Sequence, residues 1–184
     1  MLKTLVRIGA AAAILSFTSI AHGQAMPTAT GHGAGIQLGA GASMGKPDFG
    51  SHWIGGVSIF ADYNLTSHLG VEANAHFQNL HTPDDLGENT YEAGPRFYWR
   101  RTRFALYGKA QIGVGNFVVQ EIEDNAGKSN ATSFMYSFGG GLDVDFHHHI
   151  TLRAFDFEYQ EWPNFRNDGL TPAVGTVGLA YRFR

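Results

Sequence analysis

From Leu69 to Gln78 the chain alternates without a break. Leu69, Val71, Ala73, Ala75 and Phe77 fall on one face, and Gly70, Glu72, Asn74, His76 and Gln78 on the other. Successive side chains of an extended strand point to opposite sides, so this run reads as a strand with one apolar and one polar face. The rhythm recurs along the chain and is still running at Val177, Leu179, Tyr181 and Phe183. Any fold for this chain must give the two faces of many strands two different environments.

Counting period-2 runs between clusters of turn residues gives eight strands: Ile36 to Met44, Trp53 to Tyr63, Leu69 to Gln78, Tyr91 to Trp99, Phe104 to Val114, Ser133 to Val144, Ile150 to Glu161 and Ala173 to Phe183. The connections alternate in length. Asn64 to His68, Arg100 to Arg103 and Asp145 to His149 are short. Pro47 to His52, Asn79 to Thr90, Asn116 to Thr132 and Trp162 to Pro172 are mostly longer and carry Asp, Asn, Gly and Pro. An even strand count, with short turns at one end, long loops at the other and both termini on the short-turn side, is the layout of an outer-membrane barrel. A strand of ~10 residues rising ~3.3 Å each and tilted by ~45° spans ~23 Å, close to the ~25 Å apolar band of such barrels. The expected fold is all-β, an eight-stranded antiparallel up-and-down transmembrane β-barrel.

The polar faces decide which side is out. A soluble barrel of the lipocalin kind turns its apolar residues inward around a ligand cavity, and a sandwich buries them between sheets. Here the polar parity holds Asp62, Glu72, Glu92, Arg96, Lys109, Asp143, Arg153, Asp156, Glu158 and Arg182, one or more on most strands. No helices are expected that would cover the apolar side. The apolar parity carries aromatics near strand ends: Trp53, Phe77, Tyr91, Phe134 and Tyr159 toward the loops, and Tyr63, Trp99, Phe104, Tyr181 and Phe183 toward the turns. Amphipathic rings favour the headgroup level, so two such belts suit a membrane barrel.

Strand seven breaks parity. Ile150, Leu152 and Ala154 point outward, yet Phe157 and Tyr159 are apolar on the opposite count, with Asp156, Glu158 and Gln160 between them. One extra residue near Ala154 and Phe155, a β-bulge, returns every charge to the interior. Regular pairing would place Asp156 and Glu158 in lipid, at up to a few kcal/mol apiece near the midplane.

The N-terminus has its own logic. Lys3 and Arg7 precede an apolar stretch from Ile8 to Ile20 and small residues at Ala21 and Gly23, the pattern of a cleaved signal peptide. The stretch is too short and too broken for a good helical anchor, which needs about 20 apolar residues. The expected organisation is therefore a signal peptide over 1–23, a flexible lead over 24–35 and a barrel over 36–184, in the bacterial outer membrane, with cleavage after Gly23 or Ala25. Cysteine is absent, which removes thiol catalysis and thiolate metal sites. A net charge of -3 with 13 scattered Lys and Arg leaves no footprint for nucleic acid.

The segments Tyr63-Asn64-Leu65-Thr66-Ser67-His68-Leu69-Gly70-Val71-Glu72-Ala73 and Tyr91-Glu92-Ala93-Gly94-Pro95-Arg96-Phe97, with the terminal Tyr181-Arg182-Phe183, resemble the OmpA-like outer-membrane β-barrel family. The resemblance spans essentially the whole mature chain. It implies architecture more than role, since such relatives are described as structural proteins, adhesins, small pores or unknowns. It also implies that Val177, Leu179, Tyr181 and Phe183 are the signal read by the barrel assembly machinery, although Arg184 follows the aromatic here. Larger relatives carry a periplasmic peptidoglycan-binding domain. The sequence offers no counterpart beyond its last strand, so cell-wall tethering is not carried over.

For function, the ten interior charges are the first candidate, either as a salt-bridged plug or as an ion-conducting path, because eight strands leave little free lumen. His147, His148 and His149 invite a metal, but they lie in or beside a short turn with no carboxylate at fixed spacing and read as a solvated turn. The loop acids Asp84, Asp85, Glu88, Glu121, Glu123 and Asp124, with Asn125, lack the EF-hand order and read as surface solvation. Trp162, Pro163, Asn164, Phe165 and Arg166 suit contact with glycan or a host surface, or else Trp162 closes the aromatic belt. No nucleophile with an oriented base appears. Ser133, Ser137 and His76 fall on the interior parity, and no nucleophile elbow or zinc-protease spacing is present. The expectation is a non-catalytic barrel without metal or cofactor. Its partners are outer-membrane lipid, lipopolysaccharide, the assembly machinery and a glycan or protein at the loops. A narrow channel and a lipid A-modifying enzyme are the alternatives.

Overall fold

The computed structural model describes residues 35–48, 52–81, 86–119, 129–164 and 169–183. The expected signal peptide and nearly all of the lead lie outside the described residues, as do Asp84, Asp85, Glu121, Glu123, Asp124, Asn125, Phe165, Arg166 and Arg184.

Eight strands run β1 (Ile36–Lys46), β2 (Ile54–Asn64), β3 (Leu69–His81), β4 (Leu86–Arg101), β5 (Phe104–Val119), β6 (Ser129–His147), β7 (Ile150–Glu161) and β8 (Ala173–Phe183). Each pairs antiparallel with its neighbours in sequence, and β8 returns to β1, closing the barrel. Closure satisfies every strand edge by pairing, which allows the outer surface to be apolar without exposing an unpaired ladder. Tight connections hold the turn end. The Asp145 amide donates to the Arg103 carbonyl at 2.8 Å, and Thr102 takes a left-handed φ of 41° in the two-residue β4–β5 turn.

The register puts the oily parity outside. Leu38, Ile59, Val71, Ile112 and Leu179 are exposed on the outer wall, Ile112 at 64%, while the charged parity is buried. Contiguous apolar surface of this extent fits a lipid solvent.

The bulge in β7 is present. Leu142 pairs with Phe155 and the next residue, Asp143, pairs with Arg153, so Ala154 is the unpaired extra residue. On the other edge the register slips between Arg153 and Asp156. Arg153, Asp156 and Glu158 all point inward as a result, and Phe155 and Phe157 point outward.

Four strands are distinctly longer than the alternation predicts. β3 continues to His81, β4 begins at Leu86 rather than Tyr91, and β5 and β6 pair as far as Val119 with Ser129. The segments read as long loops over Asn79 to Thr90 and Asn116 to Thr132 are therefore partly strand. Gly87, Asn89 and Asn116 look like loop residues, but ladder pairing uses the backbone and does not require apolar side chains. A strand of 16 residues such as β5 covers ~37 Å at ~45° tilt, about 12 Å beyond an apolar band of ~25 Å. The 11 residues of β1 just cover that band.

Candidate functional site: the charged lumen

Interior positions of the strands converge on the axis, where eight strands leave room only for side chains. The lower lumen, toward the turn end, is built around two guanidinium groups. Arg96 on β4 reaches Asp62 on β2 at 2.7 Å, Glu72 on β3 at 2.8 Å and Asp143 on β6 at 2.6 Å. Arg153 on β7 reaches the same Glu72 at 2.8 Å and Asp62 at 3.2 Å. Lys109 on β5 joins Glu72 at 2.7 Å and Asp156 at 2.9 Å, and also contacts Glu158. These bridges tie opposite walls of the barrel, and Arg96 is 0% exposed.

Aromatic rings complete this layer. The Arg153 guanidinium lies 3.5 Å from the centroid of Phe60, and that of Arg96 lies 3.5 Å from Tyr107. Tyr107 donates its hydroxyl hydrogen to Asp156. Planar, weakly hydrated guanidinium groups accept such stacking while their edges hold carboxylates. A Cβ at Gly39 would overlap the Phe60 ring, and one at Gly141 would overlap Tyr107, so each ring lies over the glycine paired with it on the neighbouring strand.

The upper lumen, toward the loops, is less well paired. His76 on β3 sits 3.1 Å from Glu158 and 3.6 Å from Glu92. Ser137 donates to Glu92, and Gln78 donates to Ser43 at 2.9 Å. Glu88 is 1% exposed, and neither of its carboxylate oxygens has a hydrogen-bond partner among the described residues. Above these lies an apolar cap of Trp162, Met135, Phe117 and Leu170. Trp162 and Leu170 exchange backbone hydrogen bonds of 2.8 and 3.3 Å, which extend the β7–β8 pairing and direct the indole inward over Gly115.

Nine of the ten charges on the polar parity are buried together in the lumen: Asp62, Glu72, Glu92, Arg96, Lys109, Asp143, Arg153, Asp156 and Glu158. The tenth, Arg182, stands apart at the turn-side rim, half-hidden and bonded to Asp145 and Thr151. Glu88, read from sequence as a loop acid, is instead a lumen residue, because the inward parity of β4 extends back through Thr90 to Glu88. Trp162, read as exposed or as part of a belt, is 0% exposed. It continues the inward count Asp156, Glu158, Gln160. That same count was the available signal for both residues, and for Phe60, Tyr98 and Tyr107, which the search for charges passed over.

Outside, Trp53, Tyr63, Tyr91, Trp99, Phe104, Phe134, Tyr159, Tyr181 and Phe183 are all exposed. Phe155 and Phe157 are exposed mid-strand, so outer aromatics are not confined to strand ends. Val177 and Leu179 join Tyr181 and Phe183 on the outer face of β8. His147, His148 and His149 end β6 and form its turn. His149 stacks on Tyr181 with ring centroids 5.5 Å apart.

A closed barrel with an oily exterior and an ionic interior has few homes. The model of the outer membrane protein beta-barrel domain matches residues 10–183. The chain belongs to this outer-membrane β-barrel family. Its strands, rather than any helix, are the elements that cross; among the described residues no helix is long and apolar enough to do so. Neisserial surface protein A is similar in structure, with a TM-score of 0.64 at 14% identity, over 83% of this chain and 98% of that one. Ail, the attachment invasion locus protein of Yersinia pestis, gives 0.52 at 19% identity over 82% and 97%. The N-terminal beta-barrel domain of Pseudomonas aeruginosa OprF gives 0.50 at 14% over 82% and 99%. No curated protein sequence matches. These neighbours share the small outer-membrane barrel fold.

Proposed function

We propose that this barrel is a non-catalytic outer-membrane anchor whose loop end is its working surface. The observation that carries the reading is the packed lower lumen. Arg96 and Arg153 join carboxylates on β2, β3 and β6 across the axis, so transport through the cylinder would have to break several buried ion pairs at once. The hairpins that rise beyond the apolar band, above all β5–β6 with its ends at Val119 and Ser129, then make the loop end the prominent part of the molecule. Loops held on a rigid scaffold are the usual place for recognition. Lipid and lipopolysaccharide bathe the outer wall, and the β8 pattern of Val177, Leu179, Tyr181 and Phe183 serves the assembly machinery in this reading.

Ail is described as an attachment protein, and one of its structures holds the heparin analogue sucrose octasulfate. A glycan is therefore the first ligand class to test here. Cells displaying the chain are expected to adhere to a glycan-coated surface, and replacing residues 120–128 by a Gly-Ser linker is expected to abolish adhesion while heat-modifiable gel migration persists. Adhesion unchanged by the replacement would overturn the loop assignment. Discrete conductance steps from the intact chain in planar bilayers would replace it with the channel reading, and an altered lipid A mass on expression would replace it with the enzyme reading.

A further inference from the structure

The upper lumen holds a group of ligand-type atoms that the anchoring role does not use. His76 Nε2 lies 3.1 Å from Glu158 Oε2 and 3.6 Å from Glu92 Oε1, and three ligand atoms, one from each residue, all lie within 4.8 Å of one another. Each carboxylate is gripped through its other oxygen. Ser137 donates to Glu92 Oε2, while Asn74, at 2.7 Å, and Lys109 donate to Glu158 Oε1. The second oxygen of each acid is left to the imidazole side, where Glu158 Oε2 meets His76 Nε2 and Glu92 Oε1 lies beside them. Glu92 Oε1 has no hydrogen-bond partner among the described residues, although Glu92 is only 5% exposed.

The spacing and the charge balance both suit a cation. Bonds of ~2.1 Å in a tetrahedron put neighbouring ligand atoms about 3.4 Å apart, between the two distances observed from His76. Among the described residues the lumen buries seven carboxylates, Glu88 included, against three permanently charged bases, Arg96, Lys109 and Arg153. The comparable acid cluster of Glu72, Asp156 and Glu158 is already filled by the Lys109 ammonium. Of the two such clusters among the described residues, the His76 one combines imidazole with two carboxylates, a donor set that suits zinc and similar first-row divalent ions over magnesium or calcium. Donors that hold the non-coordinating oxygens are the usual outer layer of such sites.

We propose that His76, Glu92 and Glu158 bind one divalent cation of the zinc class inside the barrel, beneath the Trp162 cap. The whole chain is refolded in detergent with one equivalent of Zn²⁺, desalted, and assayed by elemental analysis. About one zinc per folded chain is expected, falling at least about tenfold in His76→Gln and in Glu92→Gln. Replacing His147, His148 and His149 together by Asn is expected to leave retention unchanged. X-ray absorption of the wild-type zinc form, which needs no variant to fold, is expected to show a single imidazole with oxygen ligands. A folded wild-type chain that retains no zinc would overturn the proposal and leave His76 as a hydrogen-bonded imidazole between two carboxylates. Retention that survives His76→Gln, or that is lost with the turn histidines, would overturn it as well. Neither result bears on the loop assignment, which adhesion tests separately.

Discussion

The two halves of the lumen use the same residue types to opposite effect. In the lower half, Arg96, Arg153 and Lys109 reach Asp62, Glu72, Asp143 and Asp156, and most bonds serve two strands at once. In the upper half, Glu88 and Glu92 outnumber the cations, and an apolar lid of Trp162, Met135, Phe117 and Leu170 closes the mouth. Buried ion pairs rarely stabilise a fold relative to apolar packing, but losing one partner of an existing pair is expensive. The lower half is thus a lock that the loss of any one partner damages. The upper half carries uncompensated acid, and there the removal of charge is expected to help.

The largest effect is expected from deleting Ala154, the bulge residue that lets both halves face the lumen. Without it, Asp156 and Glu158 shift to the lipid face, each at somewhat less than the ~2–4 kcal/mol of a midplane Arg or Lys, and the lumen network loses both acids, so heat-modifiable folded protein should be lost on gels. Arg96→Met tests the lock. It takes one cation from Asp62, Glu72 and Asp143 together, and urea unfolding in detergent should report a loss of about 3–5 kcal/mol. Trp162→Ala tests the lid at about 3 kcal/mol, the low end for an emptied aromatic site, whereas Trp99→Leu on the outer wall, where Trp99 is 63% exposed, should change stability by under about 1 kcal/mol. Glu88→Gln is the smallest and has the opposite sign, a gain of about 1 kcal/mol from relieving a buried carboxylate with no hydrogen-bond partner among the described residues. A loss of stability in Glu88→Gln would erase the contrast between the two halves.

Parity made most of this legible in advance. Ten charges on one count and the clash at Phe157 and Tyr159 were enough to require both a barrel and a bulge, because charge in hydrocarbon is too costly to leave unresolved. Aromatic and aliphatic residues impose no such constraint. Phe60, Tyr107 and Trp162 are as comfortable against a guanidinium or in an apolar cap as against lipid, so composition alone does not assign their side. The extra turns of β4, β5 and β6 were hidden for another reason. Above the apolar band the outward side chains no longer need to be apolar, and Asn89 or Asn116 fits a ladder there as well as a loop. Which partners the lumen charges choose, Asp62 with Arg96 or Asp145 with Arg182, depends on register across strands, which no single strand encodes.

The inside-out arrangement itself is tested most directly in lipid nanodiscs, by comparing the relaxation of methyl signals from Leu38, Ile59, Val71, Ile112 and Leu179 with that of Val174 and Met135. A paramagnetic label on the acyl chains is expected to broaden the first set, which lies on the outer wall, and to spare the second, which is buried in the lumen. Strong broadening of Val174 and Met135, with Leu38, Ile59, Val71, Ile112 and Leu179 left sharp, would contradict the account.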